Sequence, residues 1–417
     1  LAVTADAAAL WVDGRYFIQA ERQLAGSGIE LMRIAQKGTP EIPAWLADTL
    51  PENGVMGVDG MVTATSTVEK LNKAFEKKHI SIRDIDFVTP LWEGRPAAPA
   101  TPAWLLDVKY AGKTAAEKLA QLREKLQEKG ANAMLVSRLD SVAWLLNLRA
   151  DDIACTPVAM AYCLVLPDSA TLFINRSRLP QEAQYALAKE GVQTAAYEDV
   201  ANAIAAIDQM VTALYEPDGL NYTLYNAWKA NPNVTLLAGE EPVQQLKGVK
   251  NEVEIENIKN AHVKDGVAMV RFLMWLEKAI KTSRLTEWSI CEKLYELRSA
   301  QPEFRGLSFA TIAGYGANGA IVHYAPSADH CAELREGSFL LVDSGAQYLG
   351  GTTDITRTIP LGEVPGSYRR DYTLVLQAFI RLHAARFPEG CTGKSLDVLS
   401  RQVMWENYLD YKHGTGH

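Results

Sequence analysis

Two aspartates, Asp343 and Asp354, stand eleven positions apart in "VDSGAQYLGGTTDITRT", on either side of a Tyr-Leu-Gly-Gly turn. With that turn at residues 348–351, Asp343 lies opposite Thr356 in an antiparallel hairpin and Asp354 sits two positions back on the returning strand. Even offsets keep side chains on one face of a sheet. Both carboxylates are therefore predicted to project together as diagonal neighbours, roughly 7–8 Å apart at the backbone. Two carboxylates crowded onto one face repel unless protons or cations intervene. Hard divalent ions meet that need, and a pair ~3.5–4 Å apart with one carboxylate bridging fits the span. The competing reading is a solvated hairpin whose aspartates are surface charges, a common arrangement.

Histidines add weight to the metal reading. Two of the seven, His413 and His417, fall in "HGTGH", where small residues cannot sustain a helix but allow close backbone approach to a ligand. This is not the helical H-E-x-x-H zinc pattern, which needs two histidines on one helical face. A third, His323, follows "GYGANGAIV", read as a glycine-rich loop entering a short strand. His79, His262, His330 and His383 sit in charged or amphipathic surroundings and are read as surface or partly buried structure.

The elements that must position these groups come in three blocks. From Ala9 the chain alternates strands and helices: "ALWVD", "RYFIQAERQLA", "IELMRI", "EIPAWLADTL", "GVMGVD", "STVEKLNKAFEKK" and "ISIRDI". The same order returns as "TLFIN", "LPQEAQYALAKEG", "VQTAAY", "DVANAIAAID", "VTALYEP", "YTLYNAWKA" and "VTLLAG", which argues for two duplicated α/β domains. The second copy carries a helix, a strand, a short helix and another strand ahead of its first matching strand. Nothing equivalent precedes the first copy, so ~50 residues are expected to be missing from its start.

A proline- and alanine-dense stretch, "PLWEGRPAAPATPAW", separates the copies as a linker and places a boundary near Trp104. Past "VTLLAG" the character changes. Ile255, Ile258, Val263, Val267 and Val270 form the stripe of a long amphipathic helix, Thr286 caps a second helix, and strands follow from Leu307. The fold class is therefore α/β plus α+β, with domains at 1–103, 104–247 and 248–417.

Bulk properties narrow the function. A length of 417 residues suits two or three domains, and 48% hydrophobic content is ordinary for globular cores. The net charge of −8 and the lack of any basic stripe argue against nucleic acid as a partner. No apolar run approaches the ~20 residues of a membrane span and no basic-then-apolar leader is visible, so a cytoplasmic protein is expected. The five cysteines are scattered and never in C-x-x-C spacing, which suits reduced, mostly buried thiols.

The combination "NGAIVHYAP", "VDSGAQYLGGTTDITRT" and "HGTGH" resembles the pita-bread metallopeptidases, specifically the three-domain Xaa-Pro aminopeptidases. The likeness extends through "LWVDGRYF" and "LDSVAWLLNLR" over nearly the whole chain. It implies two creatinase-type N-terminal domains before a pita-bread catalytic domain, and hydrolysis of the bond between an N-terminal residue and a following proline. It also implies a homodimer and two divalent ions, most often Mn2+. By this resemblance Asp343, Asp354 and His417 are metal ligands with Asp354 bridging, His323 and His413 hold the substrate and its tetrahedral intermediate, and Arg15 contacts substrate.

The family completes its metal site with two glutamates, and adds a further histidine, downstream of "HGTGH", where this sequence stops. The chain is thus expected to be incomplete at both ends and inactive by itself. Three rival readings remain. Creatinase cleaves without metal, but its type does not keep both hairpin aspartates and the final histidine. A prolidase-like dipeptidase has one N-terminal domain where two are visible here. A non-catalytic pita-bread binding module has little reason to retain costly clustered charges.

Overall fold

The computed structural model describes residues 1–99 and 101–416. They form two compact units, one drawn from residues 1–42, 263–346 and 353–417, the other from residues 43–262 and 347–352.

The second of these units is built on a six-stranded sheet. Its spatial order is Val192–Ala195, Ala170–Ile174, Ala161–Val165, Ala133–Val136, Val211–Tyr215, Val234–Ala238. Helices cover both faces. Met134 and Val136 join a core with Leu119, Leu122 and Leu126 of the helix Ala115–Glu128, while Ala133 and Leu135 join another with Leu224 and Trp228 of the helix Tyr222–Ala230. A strand buried on both sides reads as an unbroken apolar run, as "NAMLVS" does.

The predicted duplication is present. In the second copy Ala170–Ile174 pairs in parallel with Val192–Ala195, and Val211–Tyr215 with Val234–Ala238. The first copy repeats this with Ala8–Val12 beside Glu30–Arg33 and Val55–Val58 beside Ser81–Asp84. The antiparallel Ala161–Val165 and its neighbour Ala133–Val136 join the two pairs of the second copy into one sheet. Those of the first copy belong to separate sheets. One expectation is corrected: the two-residue strand Ala2–Val3 does precede Ala8–Val12 and is antiparallel to it, matching Ala161–Val165.

Lys118, on the helix Ala115–Glu128, is 1% exposed and donates to the Trp144 carbonyl at 2.8 Å and to Asn147 Oδ1 at 2.7 Å. Burial pushes its pKa down from 10.5 to about 8, against the opposing charge of Glu254. The unfolded chain holds this proton more tightly. The destabilisation is full below pH 8 and is relieved as pH rises from about 8 to 10.5, a swing of roughly 3 kcal/mol. Lys118→Met is expected to flatten that rise, measured as urea midpoints at about pH 7.5 and about pH 9.5.

In the other unit, an antiparallel sheet orders Ile312–Tyr315, Ser338–Ser344 and Ile355–Leu361. Ala313, Leu340, Val342 and Leu361 pack from it against Met269, Phe272, Leu276, Ile290 and Leu294 of the two preceding helices. Those helices are Glu252–Thr282 and Glu287–Ser299, the latter capped by Thr286 as predicted, in a reciprocal box with Ser289. Helices Gly366–His383 and Gly393–Trp405 close on Leu374, Ala378, Val403 and Met404.

The buried face of Glu252–Thr282 differs from the predicted stripe. Ile255, Val263, Val267 and Val270 are 39% to 67% exposed, whereas Ala261, Asp265, Ala268, Met269, Phe272 and Leu276 are buried. Asp265 decides the face. Arg298 donates to its two oxygens at 2.7 and 2.9 Å, so a charged residue occupies a core position that a count of apolar residues rejects.

The cysteines are free, but only Cys163 is fully buried. Burial pushes the Cys163 and Cys291 thiols up to about 12, which keeps both unreactive. Among the described residues no helix is long and apolar enough to cross a membrane.

Candidate functional site

The hairpin has the register predicted from its turn: Tyr348 pairs with Gly351, Gln347 with Thr352, and Asp343 with Thr356. The turn glycines serve close approach. A Cβ on Gly350 would lie 3.0 Å from the Cβ of Asn257, and one on Gly351 3.2 Å from the Cα of Ile258. Asp343 is half-buried, and its Oδ1 accepts the Thr356 hydroxyl at 2.7 Å, which places these side chains on one face. Asp354 is exposed and stands one position ahead of the strand Ile355–Leu361, two from Thr356.

One oxygen-donor carboxylate on the strand Ser338–Ser344 and another just ahead of its neighbour Ile355–Leu361 have the chemistry of a hard divalent ion site. They are part of a cage only. Among the described residues no group of three or more His, Cys, Asp or Glu side chains could hold a metal, and His417 lies outside the described residues.

His323 does not enter a strand as expected. The strand Ile312–Tyr315 precedes the glycine-rich segment, Gly316–Ala320 coils into a 3-10 turn, and His323 follows in a turn with its ring exposed. The segment's "GANGA" run is rich in residues that tolerate tight turns rather than extended pairing. A buried carboxylate holds it. Glu287, fully buried, accepts the Tyr315 and Ala332 backbone N–H groups, each at 2.7 Å. It also accepts the Asn318 amide at 3.0 Å and the Tyr324 hydroxyl at 2.7 Å. Burial, and then this bond, push the Tyr324 phenol up.

His413 is half-buried and held from behind. Its Nδ1 lies 2.7 Å from the Gly414 carbonyl, which can only accept, so Nδ1 carries the proton and Nε2 is the acceptor of the neutral ring. Arg401 donates to the His413 carbonyl at 2.8 Å, the Tyr411 carbonyl at 2.7 Å and Asp397 at 2.6 Å. Thr415 in turn donates to Asp397. The "HGTG" segment is thus tied to the helix Gly393–Trp405.

The "DGRYF" segment meets both histidine segments. A Cβ on Gly14 would lie 2.1 Å from the Lys412 carbonyl oxygen, so only glycine permits this approach. The Tyr16 hydroxyl lies 2.6 Å from His323 Nδ1, with the rings edge to face. Arg15 is exposed and forms a two-bond pair with Asp13 at 2.9 and 2.8 Å. That guanidinium lowers the Asp13 pKa to about 2. The structure thus brings Arg15, His323 and the segment of His413 together. Sequence reasoning misses Tyr16, Glu287 and Arg401, and gives Thr356 only as the residue opposite Asp343. A tyrosine next to Arg15 was the one visible hint. His79, His262, His330 and His383 are all exposed.

Comparison with known proteins identifies the domains and the family. Residues 1–88 and 94–254 each match a Creatinase/Prolidase N-terminal domain, and residues 256–417 match Metallopeptidase family M24. Aminopeptidase P1 of Arabidopsis thaliana is 36% identical over 464 residues, covering all of this chain and 71% of that protein. A probable Xaa-Pro aminopeptidase P of Sordaria macrospora is 39% identical over 433 residues, with 100% and 70% covered. The chain spans 63% of Arabidopsis Aminopeptidase P2. The crystal structure of an X-prolyl aminopeptidase from Caenorhabditis elegans, described as a cytosolic enzyme with a di-nuclear active site, superposes with a TM-score of 0.94 at 34% identity, covering 100% of this chain and 69% of that one. The fold is that of a pita-bread metallopeptidase preceded by two creatinase-type domains, and the chain belongs to the aminopeptidase P family within that class.

Proposed function

We propose that this protein is a metal-dependent aminopeptidase that hydrolyses the bond between an N-terminal residue and a following proline. The observation that carries this reading is that one compact unit holds both hairpin strands, with Asp343 in register with Thr356, and both histidine segments, which the segment 13–17 joins through Gly14 against Lys412 and Tyr16 on His323. Asp343, Asp354 and His417 would hold two divalent ions, with Mn2+ the proposed metal and Asp354 the bridge. When bound, such ions supply a water ionised near neutral pH and polarise the scissile carbonyl. Thr356 orients Asp343 from behind, the service outer partners give to metal-binding carboxylates.

The two histidines suit complementary tasks. His413 presents Nε2 as an acceptor, fit for a substrate N–H. His323 would donate to the developing oxyanion, an effect of about 3 kcal/mol. Arg15 would contact substrate with its edge facing away from Asp13. We further propose domains at 1–103, 104–247 and 248–417, a homodimer, and a cytoplasmic location. The matched domain segments support the first, and the cytosolic relative supports the last.

The test compares Arg-Pro-Pro with Arg-Ala-Ala by release of free arginine in an active, metal-loaded preparation. Cleavage of the proline peptide alone is the expected result. Equal turnover of both removes the Xaa-Pro specificity and leaves a broader aminopeptidase.

A further inference from the structure

We propose that Tyr16 is a positioning residue that donates its phenolic O–H to His323 Nδ1 and so holds the imidazole as the Nε2–H tautomer, the form able to donate to an oxyanion. The role of that Nε2–H rests on the proposed function; the tautomer does not.

The hydrogen bond is 2.6 Å long and joins groups 307 positions apart. A neutral imidazole has one N–H and one bare nitrogen, and a phenol can serve either. Among the described residues the Tyr16 oxygen has no other hydrogen-bond partner, so a phenol that only accepted here would leave its own proton without a protein acceptor. Donation from Tyr16 uses the stronger donor and places the ring proton on Nε2. The ring orientation is held as well, since Tyr16 meets His323 edge to face with centroids 5.1 Å apart.

Both partners are anchored independently. The Gly14 approach to the Lys412 carbonyl limits the travel of the segment bearing Tyr16. The Glu287 bond to Tyr324, the residue after His323, limits the travel of the other. The result is that His323 and His413 present opposite Nε2 characters, donor and acceptor.

The experiment is nitrogen NMR of the protein labelled with 15N-histidine, with His323 assigned by its loss in His323→Gln. The expected spectrum has a protonated Nε2 and a bare Nδ1 for His323, and Tyr16→Phe converts it to a mixture of tautomers. In peptide hydrolysis by an active, metal-loaded preparation, Tyr16→Phe lowers kcat roughly 10- to 100-fold with little change in KM, the scale of outer-partner losses. A wild-type His323 protonated on Nδ1 overturns the proposal, as does a spectrum unmoved by Tyr16→Phe. A correct tautomer with full activity in His323→Gln would instead overturn the oxyanion role and leave the positioning intact.

Discussion

In an active, metal-loaded preparation, Asp354→Ala is expected to remove both the bound divalent metal and Xaa-Pro cleavage, with a loss well beyond the roughly 10- to 100-fold that outer partners cost. Asp354 is exposed and stands at the entrance to the strand Ile355–Leu361, so its side chain contributes little to the core. If it were only a surface charge, truncation would shift stability by no more than about 0.5 kcal/mol and leave activity alone. As a bridging ligand it would touch both ions, and its loss leaves each short of a donor. The check is metal analysis and arginine release on the same samples. Thermal denaturation with and without Mn2+ gives a second readout, because a ligand that binds the native state raises its melting temperature. The wild type should gain stability with Mn2+ and the variant should not. Thr356→Val, which removes only the 2.7 Å bond to Asp343, should fall between the two. Full cleavage by Asp354→Ala would return the hairpin to the surface-charge reading.

Local pattern made most of this hairpin legible. Once the turn is placed at residues 348–351, every pairing follows, because a hairpin's register is a single number and Asp343–Thr356 shares it with Tyr348–Gly351. The repeated strand-helix order was equally visible, since alternation and helical spacing are properties of neighbouring residues. Contacts made at long range were not. Nothing near Tyr16 announces a partner 307 positions away. Glu287 reads as an ordinary first-turn acid that favours the helix N-terminus, and only the fold turns it inward onto Tyr315, Asn318 and Tyr324. The glycine-rich run before His323 reads as leading into a strand, since "AIVHY" is apolar and β-branched, yet bonds from Tyr315, Asn318 and Tyr324 to Glu287 hold it as a turn. The long helix failed for a related reason. Apolar counting assumes that a charge faces water, and Asp265 does not.

That exception carries the largest expected effect on stability. Asp265 and Arg298 are both fully buried, joined by bonds of 2.7 and 2.9 Å between the helices Glu252–Thr282 and Glu287–Ser299. Taking two charges out of water is costly, and the pairing roughly offsets that cost, so the intact pair adds little net stability. Removing one member leaves the other charged and buried. Arg298→Leu is expected to destabilise these helices by about 3–5 kcal/mol, and Asp265→Leu by a similar amount. The double variant should recover most of the loss, since two leucines of compatible volume face each other where the ions did. Among the described residues Arg298 NH1 has no hydrogen-bond partner in its buried position, which favours that recovery. Native-state hydrogen exchange of amides in the two helices measures the opening free energy locally, without requiring the whole chain to unfold in one step. A double variant as unstable as the sum of the singles would show that the pair specifies the helix packing itself, with no apolar substitute able to hold the face that Asp265 defines.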